Sequence, residues 1–205
     1  MKTYLVTLLA VSAAFAPGRL SAQVNLVQNG SFEVNYSFSD WTLSYGSLVN
    51  LGGLGSGVQC ADGYNAVGLG WQSTLYQDVP TVVGQQYDFS FYMADWYTDF
   101  VHANVVSLNP SFGSTSLGTV SFSGAGKTYQ NMGWEEFDYT VTATSTSTQI
   151  TFYNPGVYPS DTRWPMIDDV WLTTVPEPSV SMLLFLSGAV VLSRCRRTSR
   201  MQRTP

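Results

Sequence analysis

The chain is 205 residues long and acidic, with 14 Asp and Glu against nine Lys and Arg, a net charge of −5, and 14% aromatic residues. That balance repels nucleic acid and anionic membrane surfaces. One histidine, His102, and two cysteines, Cys60 and Cys195, supply no zinc-ligand spacing and no Ser-His-Asp set, and no phosphate-binding glycine loop is visible.

Residues 1–22 read as a secretory signal peptide. Lys2 precedes an apolar run from Tyr4 to Ala16, and small residues lead to a cleavage point after Ala22. A retained N-terminal helix is the alternative. All 14 acids fall between Gln23 and Glu177, with only Lys127 and Arg163 against them, so the exported part carries two positive charges against 14 negative ones, a net of −12. Cys195 lies in the C-terminal tail, so no disulfide is expected in the exported part, and Cys60 is expected to be buried and inert.

Between residues 23 and 174 hydrophobicity alternates with period two, and no amphipathic helix is visible. Tyr87, Phe89, Phe91 and Met93 share one face, with Asp88, Ser90 and Tyr92 on the other. Phe137, Tyr139, Val141 and Ala143 repeat the pattern, and Ile167, Asp169 and Trp171 look like part of a further strand. Gly, Asn, Asp and Pro cluster between these runs, at Asp62-Gly63, Asn109-Pro110 and Asn154-Pro155-Gly156 among others. Many short strands separated by turns predict one all-β sandwich of about 150 residues, enough for a single core.

Six tryptophans and 12 tyrosines are a heavy aromatic supply. Trp41 and Trp171 are expected in the core. Two predicted loops set an aromatic ring beside charged groups able to hold hydroxyls: Asp95, Trp96 and Asp99 in one, Asp161, Arg163 and Trp164 in the other. These are the candidate glycan-binding residues, with core packing as the alternative. Glu135, Glu136 and Asp138 are close in sequence, as a glycosidase pair could be. An exposed acidic strand face accounts for them as well, and no catalytic residue is assigned.

The tail has three parts. Val175-Pro176-Glu177-Pro178-Ser179 is a stiff break, since prolines one residue apart fit neither a helix interior nor a central strand. Val180 to Leu192 carries no charge, and Arg194, Arg196, Arg197, Arg200 and Arg203 follow with no acid among them. The apolar run is about 13 residues, roughly 20 Å as a helix, against about 20 residues for a full span. It predicts a short transmembrane helix over about 180–193, with the arginines cytoplasmic and everything before Val175 outside. A buried C-terminal helix with a basic end is the alternative.

Two resemblances follow. Pro176-Glu177-Pro178, the short apolar helix and the arginines resemble the PEP-CTERM sorting signal of Gram-negative bacteria. That implies processing by an exosortase, transient inner-membrane anchoring, and release to the cell surface or an exopolysaccharide matrix. Asn25-Leu26-Val27-Gln28-Asn29-Gly30-Ser31-Phe32-Glu33, Leu75-Tyr76-Gln77-Asp78-Val79, Gly84 to Phe91 and Met166-Ile167-Asp168-Asp169-Val170 are together similar to the galactose-binding-like jelly rolls, which include carbohydrate-binding modules. That resemblance implies a structural Ca2+ held by Glu33 and Asp168, with Asp169 as the alternative to Asp168. Without metal, Glu33 and Asp168 would bind backbone N–H groups or Arg163. The expected function is non-catalytic binding of a polysaccharide, a neutral one because few cations remain to hold an acidic polymer. A structural matrix protein without a defined ligand, or a glycoside hydrolase, is the alternative.

Overall fold

The computed structural model describes residues 23–34, 38–50, 59–96, 105–128, 130–157 and 164–176. The expected signal peptide, and the tail beyond Pro176 with its apolar run and arginines, lie outside the described residues. Among the described residues no helix is long and apolar enough to cross a membrane.

Eleven strands are described: β1 (Thr42–Leu43), β2 (Gly46–Asn50), β3 (Asn65–Leu69), β4 (Thr74–Pro80), β5 (Gln86–Trp96), β6 (Val105–Phe112), β7 (Thr115–Ser116), β8 (Val120–Ser123), β9 (Glu135–Thr142), β10 (Ser147–Tyr153) and β11 (Trp164–Thr174). One sheet runs β1-β4-β10-β6-β7, with β8 beside β6; the other runs β2-β3-β11-β5-β9. Every pairing is antiparallel. The chain passes repeatedly from one sheet to the other, as at β4 to β5 and β10 to β11, so the expected all-β sandwich is the architecture found.

Alternation along β5 builds the core. Tyr87, Phe89, Phe91 and Met93 are each 1% exposed or less. Phe91 meets Phe152 of the facing sheet edge-on, with centroids 4.9 Å apart. It also stacks on Phe137 of neighbouring β9 at 5.5 Å. Such pairs add to the burial of each ring, itself worth about 1.5–3 kcal/mol. Trp41 is in the core as expected, whereas Cys60 is only partly buried against it. Asn109-Pro110, read from sequence as a turn, lies inside β6.

The opening motif is laced to the last strand. Asn25 Nδ2 donates to the Val170 carbonyl, and Asn25 Oδ1 accepts from the Leu172 N–H. Val170 N–H donates to the Gly30 carbonyl. A Cβ on Gly30 would run into the Val170 carbonyl oxygen, so glycine is required at this crossing. This lacing carries Glu33 to its place beside the turn ahead of β3.

β11 is irregular. Its register against β5 shifts between Asp168 and Trp171, and Asp169 has φ of 47°. A bulge of this kind inserts a residue and reverses which face the following side chains take. The sequence pattern puts Ile167 and Trp171 on one face. In the structure Ile167 is buried, and Trp171 is 41% exposed.

Candidate functional site

The open face of the five-stranded sheet carries a shallow groove of about 510 Å³. Beyond the bulge β11 contributes Trp171 and Thr173; β5 contributes Asp88, Ser90 and Tyr92; β9 contributes Glu136 and Asp138. These are the outward positions of three neighbouring strands: Trp171 pairs with Ser90, which pairs with Asp138, and Tyr92 pairs with Glu136.

Trp171 is fixed as well as exposed. Its indole N–H donates to Asp169 Oδ1, the acid at the bulge. Tyr92 Oη donates to Glu136 Oε2 at 3.2 Å, and Thr140 Oγ1 donates to Asp88 Oδ1 at 3.3 Å. Asp88, Glu136, Asp138 and Asp169 line the groove, and no basic side chain among the described residues does. Burial pushes the Asp169 carboxyl up, the Trp171 bond pulls it back, and the charges of Asp62 and Glu136 add to the rise. Partial desolvation and the Glu136 charge raise the Tyr92 phenol. The arrangement is an indole platform bordered by acceptors, suited to a ligand with an apolar face and a rim of hydroxyl donors. Sequence reasoning missed Trp171 by counting it as core. An Asp-Asp pair two residues before it, the second able to take positive φ, was the available signal.

The two expected loop sites converge, but on strands. Trp164 opens β11 and Trp96 closes β5, and the two are paired directly. Both are half-buried. Trp164 lies 5.6 Å from Trp71 at 86° and 5.6 Å from Tyr45 at 68°. Trp164 therefore stands on a strand and not in a loop, in contact with two other rings, and the exposed member of the group is Tyr45, at 50%. Asp95 is 4% exposed and, by strand alternation, lies on the opposite face of β5 from Trp96. Asp99, Asp161 and Arg163 lie outside the described residues. Of the sorting motif, Pro176 is described, and Glu177 and Pro178 are outside.

The expected metal ligands hold one turn. Glu33 Oε1 accepts from the Tyr64 and Asn65 N–H groups at 2.6 and 2.7 Å, and Oε2 accepts from Asn65 Nδ2 at 2.9 Å. Asp168 Oδ2 accepts from Asp62 N–H at 3.0 Å, and Oδ1 accepts from Asp169 N–H at 2.8 Å. Asp168 is completely buried. Burial pushes its carboxyl up to about 8, against the N–H bonds from Asp62, Asp169 and Ala61. Among the described residues no three His, Cys, Asp or Glu side chains converge. Glu33 and Asp168 would give calcium at most two carboxylates, whose oxygens already accept N–H bonds, and backbone carbonyls would have to make up the six to eight oxygens it takes. A buried carboxylate facing no described base is nevertheless the kind of group a cation neutralises. Asp169, the alternative ligand, is engaged with Trp171 instead.

Comparison with known proteins gives a family. A family model described as "Protein of unknown function (DUF642)" matches residues 21–173. A search of curated proteins returns no match. Among solved structures, the chain is similar to TmCBM61 in complex with β-1,4-galactotriose, at 20% identity and a TM-score of 0.49 over 74% of this chain and 99% of that one. It is similar to a family 35 carbohydrate-binding module from Clostridium thermocellum, at 11% identity and a TM-score of 0.48 over 77% and 100%. A third is the CBM22-1 xylan-binding domain of Xyn10C from Paenibacillus barcinonensis, at 8% identity and a TM-score of 0.47 over 77% and 95%.

Proposed function

We propose, for a chain that belongs to the DUF642 family, that its β-sandwich is an exported, non-catalytic polysaccharide-binding domain. The observation that carries this reading is Trp171: a large exposed ring, held by Asp169, in a groove whose other lining side chains, Phe89 apart, are hydrogen-bonding groups. A pyranose ring has an apolar face that can lie on an indole, and its equatorial hydroxyls can donate to Asp138, Glu136 and Asp169. By analogy with bases on aromatic side chains, one such contact is worth about 1–3 kcal/mol. Weak single contacts suit a domain displayed in many copies on a surface. Four acids and no described base in the groove favour a neutral chain over an acidic one.

A binding role suits the acids better than hydrolysis. A glycosidase general acid is a carboxyl raised by an apolar pocket and paired with a second carboxylate across the scissile bond. Glu136 and Asp138 are exposed strand side chains, and Asp169 has one oxygen committed to the Trp171 indole.

Export and sorting belong to the same proposal, on the sequence features of the two ends. The reading is a signal peptide, then transient inner-membrane anchoring by the 180–193 helix. Exosortase processing at Pro176-Glu177-Pro178 would then release the domain to the cell surface or extracellular matrix of a Gram-negative bacterium. The galactose-binding-like assignment and a structural Ca2+ at Glu33 and Asp168 complete it. Calcium would supply there the charge that neutralises Asp168.

The test is retention of the purified chain in native gels cast with neutral polysaccharides, beside Trp171→Ala. Retardation of wild type and its loss in a variant with unchanged melting temperature is the expected result. Equal retardation of the two rejects the groove.

A further inference from the structure

A second ring on the surface is built to the same specification in a different chemical setting. Tyr45 stands where β1 of one sheet passes into β2 of the other, and it is 50% exposed. Its ring lies directly over Gly70. A Cβ built there would fall on the ring's own carbons, so only glycine lets the ring settle against the backbone. Gly70 N–H donates to the Tyr45 carbonyl at 3.0 Å, which fixes the backbone under the ring. Trp71 and Trp164 then brace it, with centroids 6.1 and 5.6 Å away. An exposed tyrosine with a backbone floor and two aromatic walls has little freedom left to lose when a ligand stacks on it.

Beside the ring is a second groove, of about 490 Å³. Tyr45, Phe38, Thr42 and Ser44 are among its lining residues, and none of the described lining side chains is charged. Ser44 Oγ accepts from Thr74 N–H at 2.8 Å, which leaves its own proton to donate outward. Among the described residues the surroundings offer an apolar face, two hydroxyls and no ionic partner, and so suit an uncharged, hydroxyl-rich ring. They differ from the Trp171 groove, whose four carboxylates would tolerate an amine and repel an acid.

We infer that Tyr45 is the stacking platform of a second subsite for a neutral sugar residue, with Gly70, Trp71 and Trp164 as positioning residues that hold its ring. Trp164 and Trp171 stand seven positions apart on β11, so the two subsites are separated by roughly 20 Å along the strand direction. A polymer held at both is released only when both let go, which raises its effective affinity without any new contact.

The test uses the purified chain in native gels containing hydroxyethyl cellulose, galactan or xylan. Wild type is compared with Tyr45→Ala, Tyr45→Leu, Tyr45→Phe, Gly70→Ala and Trp171→Ala, with melting temperatures measured in parallel. For at least one polymer, Tyr45→Ala and Tyr45→Leu are expected to weaken retention about tenfold, within the range for a ring stacked on an aromatic. Tyr45→Phe keeps the ring and should keep retention. Gly70→Ala lifts the ring and should lose retention with Tyr45 itself unchanged. If Tyr45→Leu melts as wild type and is retained as wild type while Trp171→Ala is not, the second subsite is wrong and the first stands. If the Tyr45 variants lose retention and Trp171→Ala does not, the second subsite stands and the first is wrong. No retention of wild type by any of the three polymers overturns both.

Discussion

Glu33 and Asp168, 135 positions apart in the sequence, hold the same turn from its two sides: Glu33 takes the N–H groups of Tyr64 and Asn65, and Asp168 takes that of Asp62. Between them Gly63 has φ of 64°, and a Cβ there would strike the Glu33 carboxylate. The turn therefore needs glycine twice over, for its backbone and for its clearance. Through it, the first segment and the last strand are joined to the start of β3.

The clamp predicts an order of destabilisation. Glu33→Ala strands two backbone N–H groups and the Asn65 amide, each costing about 1–3 kcal/mol if it finds no other partner. Gly63→Ala strains the backbone and displaces the carboxylate together. Both should lower the denaturation midpoint well below that of a surface control such as Thr144→Ala. A midpoint equal to the control's would show that the turn does not depend on Glu33.

Asp168 predicts a pH dependence of unusual sign for an acid. Its folded carboxyl is raised to about 8, above the ordinary 3.8, so the fold favours the protonated form. That contribution is complete below the unfolded value and is lost as pH rises through the folded one. Across the window from about 4 to about 8 it falls by about 1.4 kcal/mol per pH unit. Asp169, also raised by burial, acts in the same direction. In chelator-treated protein, denaturation midpoints should fall from pH 5 to pH 8, and Asp168→Asn should flatten the slope. A profile that rises over this range would contradict a neutral Asp168.

Calcium reverses that sign. A bound cation favours the ionised carboxylate, so with calcium present stability should hold or rise toward pH 8. It also stabilises by linkage, about 2.7 kcal/mol at a hundredfold excess over the dissociation constant. Chelator should lower the melting temperature at pH 8, calcium should restore it, and Glu33→Gln should abolish the difference. An unchanged melting temperature on chelation removes calcium from the proposal.

The sandwich was readable because β5 and β9 carry their alternation openly, with aromatic residues at successive inward positions. The site was less readable, because alternation cannot register one extra residue. The bulge at Asp169 reverses the side taken by Trp171, and sequence period alone assigns that ring to the core. Trp96 and Trp164 were found as candidates, but their pairing across two strands, and the service of Trp164 as a wall for Tyr45, depend on contacts between distant segments. Gly70 carried the only local hint, a glycine immediately before Trp71 whose missing Cβ makes room for a ring 25 positions away. Glu33 and Asp168 could be named from the resemblance, whereas the turn they share could not.

The last strand also bears on sorting. Thr174 is the final residue of β11 and pairs with Tyr87. One residue on, Val175 N–H donates to the Gln86 carbonyl at 3.0 Å, and the Val175 carbonyl accepts from Gln85 Nε2 at 3.1 Å. Every described strand pairing of the sandwich is thus made before Pro176, and the two prolines Pro176 and Pro178 cannot extend β11 as central strand. A cut at Pro176-Glu177-Pro178 would leave all of those hydrogen bonds in place, so the released domain should melt at the same temperature as one carrying the tail. Mass spectrometry of the surface fraction should find an N-terminus near Gln23 and a C-terminus within a few residues of Pro178. Deleting Pro176 to Pro178 should leave the full-length chain in the membrane fraction. Recovery of a surface-exposed form that still carries Arg203 would show that the tail is an anchor and not a sorting signal.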